Sequence, residues 1–159
     1  MLKIKLSFLS LFIFLLCNSQ EKEQELKTYT FSQADSIQNQ QAHKLIFVFI
    51  HTDWCGVCKR MELTTFKDQE VINLMNKKIL FVPFNAENHK ETIHFRGLNY
   101  VFEPKGTAYG THQLAKILGT ANGRLAYPTL LFINKENEIN FRLSSYLNAK
   151  RLIRLLSKL

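Results

Sequence analysis

Leu45-Ile46-Phe47-Val48-Phe49-Ile50 runs through His51-Thr52-Asp53 into Trp54-Cys55-Gly56-Val57-Cys58-Lys59, and the rest of the chain is read outward from this stretch. Six large apolar residues in a row, without the alternation of a half-exposed strand, predict a strand buried on both faces. Such a strand is central in its sheet and needs helices over both sides. Cys55 to Thr64 reads as a helix entered directly from it. Two cysteines separated by two residues can close a small disulfide ring at a helix start. Backbone N–H groups there carry partial positive charge, which favours a thiolate over a thiol, and the thiolate is the nucleophile. Cys55 lies at that terminus, and Cys58, one turn inside, is expected to be more buried. The roles follow: Cys55 attacks a substrate disulfide and Cys58 resolves the mixed disulfide.

Other chemistries fit the residues less well. A structural zinc site takes four ligands, and the chain has neither a second CxxC nor an HxxxH pair. His51 precedes Cys55 by four residues but sits on the strand. His43, His89, His94 and His112 show no metal-ligand spacing, and no histidine is close in sequence to Cys58. No metal is expected. An inert disulfide between Cys55 and Cys58 would cross-link almost no loop and stabilise little.

Working outward, Ser32 with Asp35 three residues on is a weak capping-box pattern, and a helix is expected over 32–42. Asp68 is placed to cap a helix over Gln69–Lys77. Ile79–Phe84 is the next strand, its Pro83 suited to an edge position or an irregular end. Thr92–Phe95 and Tyr100–Phe102 flank Arg96-Gly97-Leu98-Asn99 as a candidate hairpin. Thr111–Leu118 reads as a helix that Gly119 ends. Thr129–Ile133 and Glu138–Leu143 are two strands, and Asn148–Leu159 closes the chain as an amphipathic helix. Tyr127-Pro128-Thr129 opens the first of those strands, where proline is tolerated. The alternation argues an α/β layer sandwich with a mixed central sheet flanked by helices.

The 159 residues, 46% hydrophobic and 21% charged, set a prior of one globular domain. Six glycines and three prolines exclude a linker-rich chain, and three cysteines exclude a disulfide scaffold. Residues 1–19 have the layout of a secretory signal peptide: Lys3 and Lys5, then an uncharged run from Leu6 to Leu16, then small or polar residues up to Ser19. The alternatives are a lipoprotein signal with Cys17 lipidated, although Leu16 stands where such signals carry a small residue, and an uncleaved membrane anchor. A flexible segment is expected over 20–30 and the folded domain over 31–159. Export places Cys55 and Cys58 in an extracytoplasmic, oxidising compartment such as the periplasm.

The strand Leu45–Ile50, the WCGVCK stretch, and Tyr127-Pro128-Thr129 before Leu130–Ile133 together resemble the thioredoxin superfamily. The likeness is nearest to exported thioredoxin-like proteins with WCxxCK ahead of a hydrophobic helix. The resemblance implies a thioredoxin-like three-layer sandwich. It implies that Cys55 attacks, that Cys58 resolves, and that Pro128 is cis and opposite the disulfide. It also implies that Tyr127 offers its backbone to an extended substrate segment and that Trp54 shields one side of the pair. Two departures stand out. Phe49 occupies the position where thioredoxins proper carry a buried acidic residue, and Gly56-Val57 replaces Gly-Pro. About 22 extra residues, 88–109, form an insertion with Phe95, Tyr100, Phe102 and Tyr109. This insertion either borders the Cys55 groove or covers the domain's own core.

The expected function is exported thiol–disulfide exchange with protein substrates bearing disulfides or thiols. The resemblance leans it toward a reductase or electron carrier supplied by a membrane thiol donor. No soluble cofactor motif is present. The alternatives are a client-binding chaperone or assembly module with idle cysteines, and a disulfide oxidase or isomerase. Lys150, Arg151, Arg154 and Lys158 interleave with leucines on the last helix, which reads as a core-packed helix with a solvated basic face. No nucleic-acid reader motif is present.

Overall fold

The computed structural model describes residues 24–107 and 109–159. The expected signal peptide and Cys17 lie outside them. The elements in chain order are α1 (Phe31–Gln40), β1 (Leu45–His51), α2 (Gly56–Leu63), a 3-10 turn (Thr65–Lys67), α3 (Gln69–Lys78), β2 (Ile79–Asn85), β3 (Ile93–Phe95), β4 (Leu98–Tyr100), β5 (Phe102–Lys105), β6 (Tyr109–His112), α4 (Gln113–Gly119), β7 (Thr120–Ala121), β8 (Arg124–Leu125), β9 (Thr129–Ile133), β10 (Ile139–Leu143) and α5 (Ala149–Leu156).

The central sheet has the strand order β10-β9-β1-β2. β1 pairs in parallel with β2 and antiparallel with β9, so the sheet is mixed, and the apolar strand is interior to it. Successive side chains of β1 point to opposite faces. Ile46, Val48 and Ile50 join α1 and α4 in one apolar cluster, through Phe31, Ala34, Leu114 and Leu118. Phe47 and Phe49 join α2, α3 and α5 in the other, through Met61, Val71, Met75, Leu152 and Leu156. A run with no polar position is what a strand covered on both faces requires. The resulting architecture is a thioredoxin-like layer sandwich. β2 is the sheet's edge, and its exposed Pro83 stands there, where a missing N–H costs no ladder bond.

The structure corrects several sequence expectations. α1 starts one residue early, because Thr30 rather than Ser32 is the cap. The Thr30 hydroxyl accepts from the Gln33 N–H (3.2 Å) and the Gln33 side chain accepts from the Thr30 N–H (2.9 Å), a complete capping box. That register buries Phe31 and Ala34 against the sheet. The segment expected to be flexible over 20–30 is tied down in its described part. Lys27 N–H donates to Asn76 on α3, Asn76 donates to the Glu25 carbonyl, and Tyr29 N–H donates to Phe81 O on the outer side of β2 (2.8 Å). An exposed edge strand recruits such a segment to satisfy its free carbonyls.

The insertion and the three residues after it hold two hairpins. β3 pairs with β4 through a turn at Arg96 (φ 54°) and Gly97 (φ 75°), and β5 pairs with β6. Two left-handed residues in succession match a two-residue hairpin turn. The first hairpin covers the core: Ile93 and Phe95 are buried in the α1–α4 cluster, with Phe31 edge-on to Phe95 at 5.1 Å. The second ends in Thr111–His112, expected as the start of a helix. α4 begins only at Gln113, with His112 as its cap. Gly110 is required in β6, because a Cβ there would lie 2.4 Å from the Phe102 ring and 2.6 Å from the Glu103 carbonyl oxygen.

Candidate active site

Sheet register assembles the site. Ile50 near the end of β1 pairs with Thr129 at the start of β9, which runs the opposite way. The Tyr127–Pro128 segment is therefore delivered beside the loop that leaves β1 for the cysteines. β2 runs parallel to β1, with His51 opposite Asn85. Asn85, Glu87 and Asn88 consequently emerge next to Asp53 and Trp54. Ligand sites of open α/β sheets form at the carboxyl ends of parallel strands for this reason.

Cys55 and Cys58 are joined by a disulfide. Cys55 is the N-cap of α2, and its Sγ accepts from the Cys58 backbone N–H at 3.1 Å. The same N–H is in place to stabilise a thiolate on Cys55 after reduction. Cys58 is 1% exposed and Cys55 5%, the order expected from their positions on the helix. Both pack in the α2–α3–α5 cluster.

The Tyr127–Pro128 peptide bond is cis. Thr129 fixes the chain just after it, its hydroxyl donating to the Ala126 carbonyl (2.7 Å). Trp54 projects into solvent, edge-on to the Tyr127 ring at 5.6 Å, and its indole N–H donates to Glu87 Oε2 at 2.8 Å. Burial first, and then the Glu87 carboxylate, push the Tyr127 hydroxyl up to about 12. Tyr127 is therefore neutral and keeps its proton at physiological pH.

Phe49 is buried where an acidic residue would stand in thioredoxins proper, and it pairs in register with Pro83. Acidic groups lie elsewhere: Asp53, near the pair in sequence, and Glu62 and Glu87, which the sequence reading passed over. Glu62 is one helical turn beyond Cys58, the i, i+4 spacing that puts two side chains on one helix face. It lies 3.6 Å from His51 Nδ1 and 3.4 Å from Lys59 Nζ. Burial holds His51 below its ordinary value, against the pull of Glu62. On the Trp54 side, Asp53 accepts from the side-chain amides of Asn85 (2.7 Å) and Asn88, and Asn85 accepts from the Glu87 and Asn88 N–H groups. Glu87 had no local signal, since its position depends on the β1–β2 register.

The family model of the thioredoxin-like domain matches residues 32–159. The chain belongs to the thioredoxin-like family. Among solved structures, this thioredoxin-like domain is similar to the DsbH oxidoreductase, with 20% identity, 88% of this chain and 91% of that one covered, and a TM-score of 0.58. It is also similar to a thioredoxin from Thermus thermophilus, with 17% identity, 85% and 87% covered and a TM-score of 0.56. A candidate disulphide-isomerase from Bacteroides thetaiotaomicron shares 27% identity, with 87% and 94% covered and a TM-score of 0.54. No curated protein matches the chain. The family and the Cys55–Cys58 pair make this a thioredoxin-like fold of the thiol–disulfide oxidoreductase type.

Proposed function

We propose that the protein is an exported thiol–disulfide oxidoreductase working as a reductase or electron carrier on protein substrates. The observation that carries the exchange chemistry is Cys55 at the cap of α2, its sulfur within hydrogen-bond reach of the Cys58 N–H. In the reduced protein the Cys55 thiolate attacks one sulfur of a substrate disulfide and expels the other as a thiolate. The Cys58 thiolate then attacks Cys55 Sγ, closes the Cys55–Cys58 bond and releases the second substrate thiol. Two electrons pass to the substrate, and a dithiol donor restores the pair. A membrane thiol protein is the donor this reading calls for in an oxidising compartment.

Export rests on the layout of residues 1–19, and direction rests on the family resemblance. Trp54, Tyr127 and Pro128 form the substrate-facing rim of the pair. The test is the reduction potential of Cys55–Cys58 equilibrated against glutathione and dithiothreitol, read by Trp54 fluorescence. A value near or below about −230 mV supports the reductase. A value above about −180 mV assigns an oxidase or isomerase instead, and the absence of a reversible couple leaves a client-binding module.

A further inference from the structure

The cavity on the Trp54 side of the disulfide has the walls of a cation site. It measures about 200 Å³ and is lined by Asp53, Trp54, Glu87, Asn88, Tyr109 and Gly110. Two walls are aromatic rings left open to solvent, Trp54 at 69% and Tyr109 at 79% exposure. Two are carboxylates. Among the described residues neither is ion-paired: the ion pairs join His51 and Lys59 to Glu62, Arg96 to Asp35, and Lys116 to Glu103. Asp53 and Glu87 accept instead from neutral donors, the Asn85 and Asn88 amides and the Trp54 indole. Neighbouring cations are engaged elsewhere, Lys59 with Glu62 and Lys90 over the Phe102 ring at 6.0 Å. On a chain of net charge +8, this local excess of negative charge stands against the whole.

We propose that this cavity receives a lysine or arginine side chain of the substrate polypeptide, next to its reacting cysteine, so that basic cysteine segments are the preferred substrates. The inference rests on the exchange reading above and names its substrate class. Trp54 directly precedes Cys55, so a side chain seated on Trp54 belongs to a residue within one or two positions of the substrate sulfur joined to Cys55. An ammonium or guanidinium group over an aromatic face is attracted by the ring quadrupole. The two carboxylates supply the opposite charge. Tyr109 comes from the β5–β6 hairpin, so the inserted segment furnishes one wall of the cavity.

The test uses three capped peptides that differ only in having lysine, leucine or glutamate beside a cysteine. In each, that cysteine is disulfide-bonded to 2-mercaptoethanol. Rates of reduction by the dithiothreitol-reduced protein are measured in about 20 mM and about 300 mM salt, either side of strong screening. The lysine peptide is expected to react about threefold faster than leucine and about tenfold faster than glutamate at low salt, with both ratios shrinking at high salt. In Glu87→Gln with Asp53→Asn the three rates converge. Equal lysine and leucine rates in the natural protein, or a preference that survives in the double variant, overturn the proposal. Trp54 is the single tryptophan, so serine versions of the peptides titrated against the oxidised protein report occupancy without any exchange. Tighter binding of the lysine form supports the site, and equal binding of all three refutes it. Bis(2-hydroxyethyl) disulfide carries no charge. If the protein fails to reduce it, the exchange reading falls, while the fluorescence titration still decides the cavity.

Discussion

Replacing Arg96 by alanine is expected to cost this protein more stability than any other change to an exposed turn. Arg96 begins the β3–β4 turn, yet its guanidinium reaches back to α1 and to the β9–β10 turn. Nη1 donates to Asp35 Oδ1 (2.7 Å), Nη2 donates to Gln38 and to the Asn134 carbonyl (3.1 Å), and its own N–H donates to Asp35 Oδ2 (3.1 Å). The two charged side chains are 14% and 17% exposed, and Gln38 is fully buried. Alanine leaves Asp35 Oδ1, the Gln38 amide oxygen and a carbonyl without their donor, while the backbone N–H of residue 96 still serves Asp35 Oδ2. Removing one partner of a fully buried pair costs ~3–5 kcal/mol, and the residual exposure here discounts that to about 2–3 kcal/mol. At about 3–4 °C per kcal/mol for a domain of this size, the midpoint falls by roughly 6–12 °C. The assay is thermal unfolding by circular dichroism of the natural protein, Arg96→Ala, Asp35→Ala and the double variant. A coupling of about 1–2 kcal/mol is expected from the cycle. The pair packs on the α1 side of the sheet and the cysteines on the other, so the Cys55–Cys58 potential is expected to move by less than about 10 mV, which is ~0.5 kcal/mol. A midpoint shift under about 3 °C, or strictly additive single variants, refutes this account of what holds the first hairpin.

Cys55→Ser is expected to abolish reduction of a model disulfide, whereas Cys58→Ser accumulates mixed disulfides visible by mass spectrometry; exchange retained in the first, or no adduct in the second, reverses the assigned roles. Gly110→Ala forces β5 and β6 apart and is expected to cost about 1–3 kcal/mol while shifting Trp54 emission, because Tyr109 moves with the strand; an unchanged midpoint would show that the hairpin is loosely held. His112 is buried and uses both ring nitrogens, Nδ1 accepting from the Leu114 N–H (3.2 Å) and Nε2–H donating to the Glu91 carbonyl (3.1 Å). Burial lowers its folded value from the ordinary 6.5, so the unfolded chain binds the proton more readily. Its contribution to stability is complete above about pH 6.5 and is lost as pH falls below that. His51, lowered by burial too, adds in the same direction. The midpoint of the natural protein is expected to drop between about pH 6.5 and 5, and His112→Gln to drop less steeply; parallel curves would place the titration elsewhere.

The strand Leu45–Ile50, the cysteine helix and the strand after Pro128 were legible because each rests on short-range information. An apolar run without alternation has one physical home, between two layers. Cys-X-X-Cys at a strand-to-helix junction places one sulfur at the helix cap whatever the rest of the chain does. Asp68 as a cap and Pro83 on an edge are likewise local backbone chemistry, whereas Gly119 at the end of α4 is set by packing, since a Cβ there would lie 2.4 Å from Leu125. The start of α1 was misplaced for the complementary reason: Thr30 with Gln33 and Ser32 with Asp35 are both plausible caps, and the choice falls to the one that buries Phe31. Just after the insertion, periodicity could not distinguish Thr111–His112 as strand from helix, because the four-residue β6 carries too little pattern.

What the sequence by itself determined is the Cys55–Cys58 pair at a strand-to-helix junction and the layered fold that presents it. What only the tertiary structure decided is the surroundings of that pair. Asp53, Glu87 and Tyr109 meet at Trp54, and Arg96 meets Asp35 and Asn134, because strand register and hairpin docking bring distant residues together. Side chains 30 to 60 positions apart leave no mark on each other's local sequence, so their meeting is settled by burial of the apolar faces that carry them.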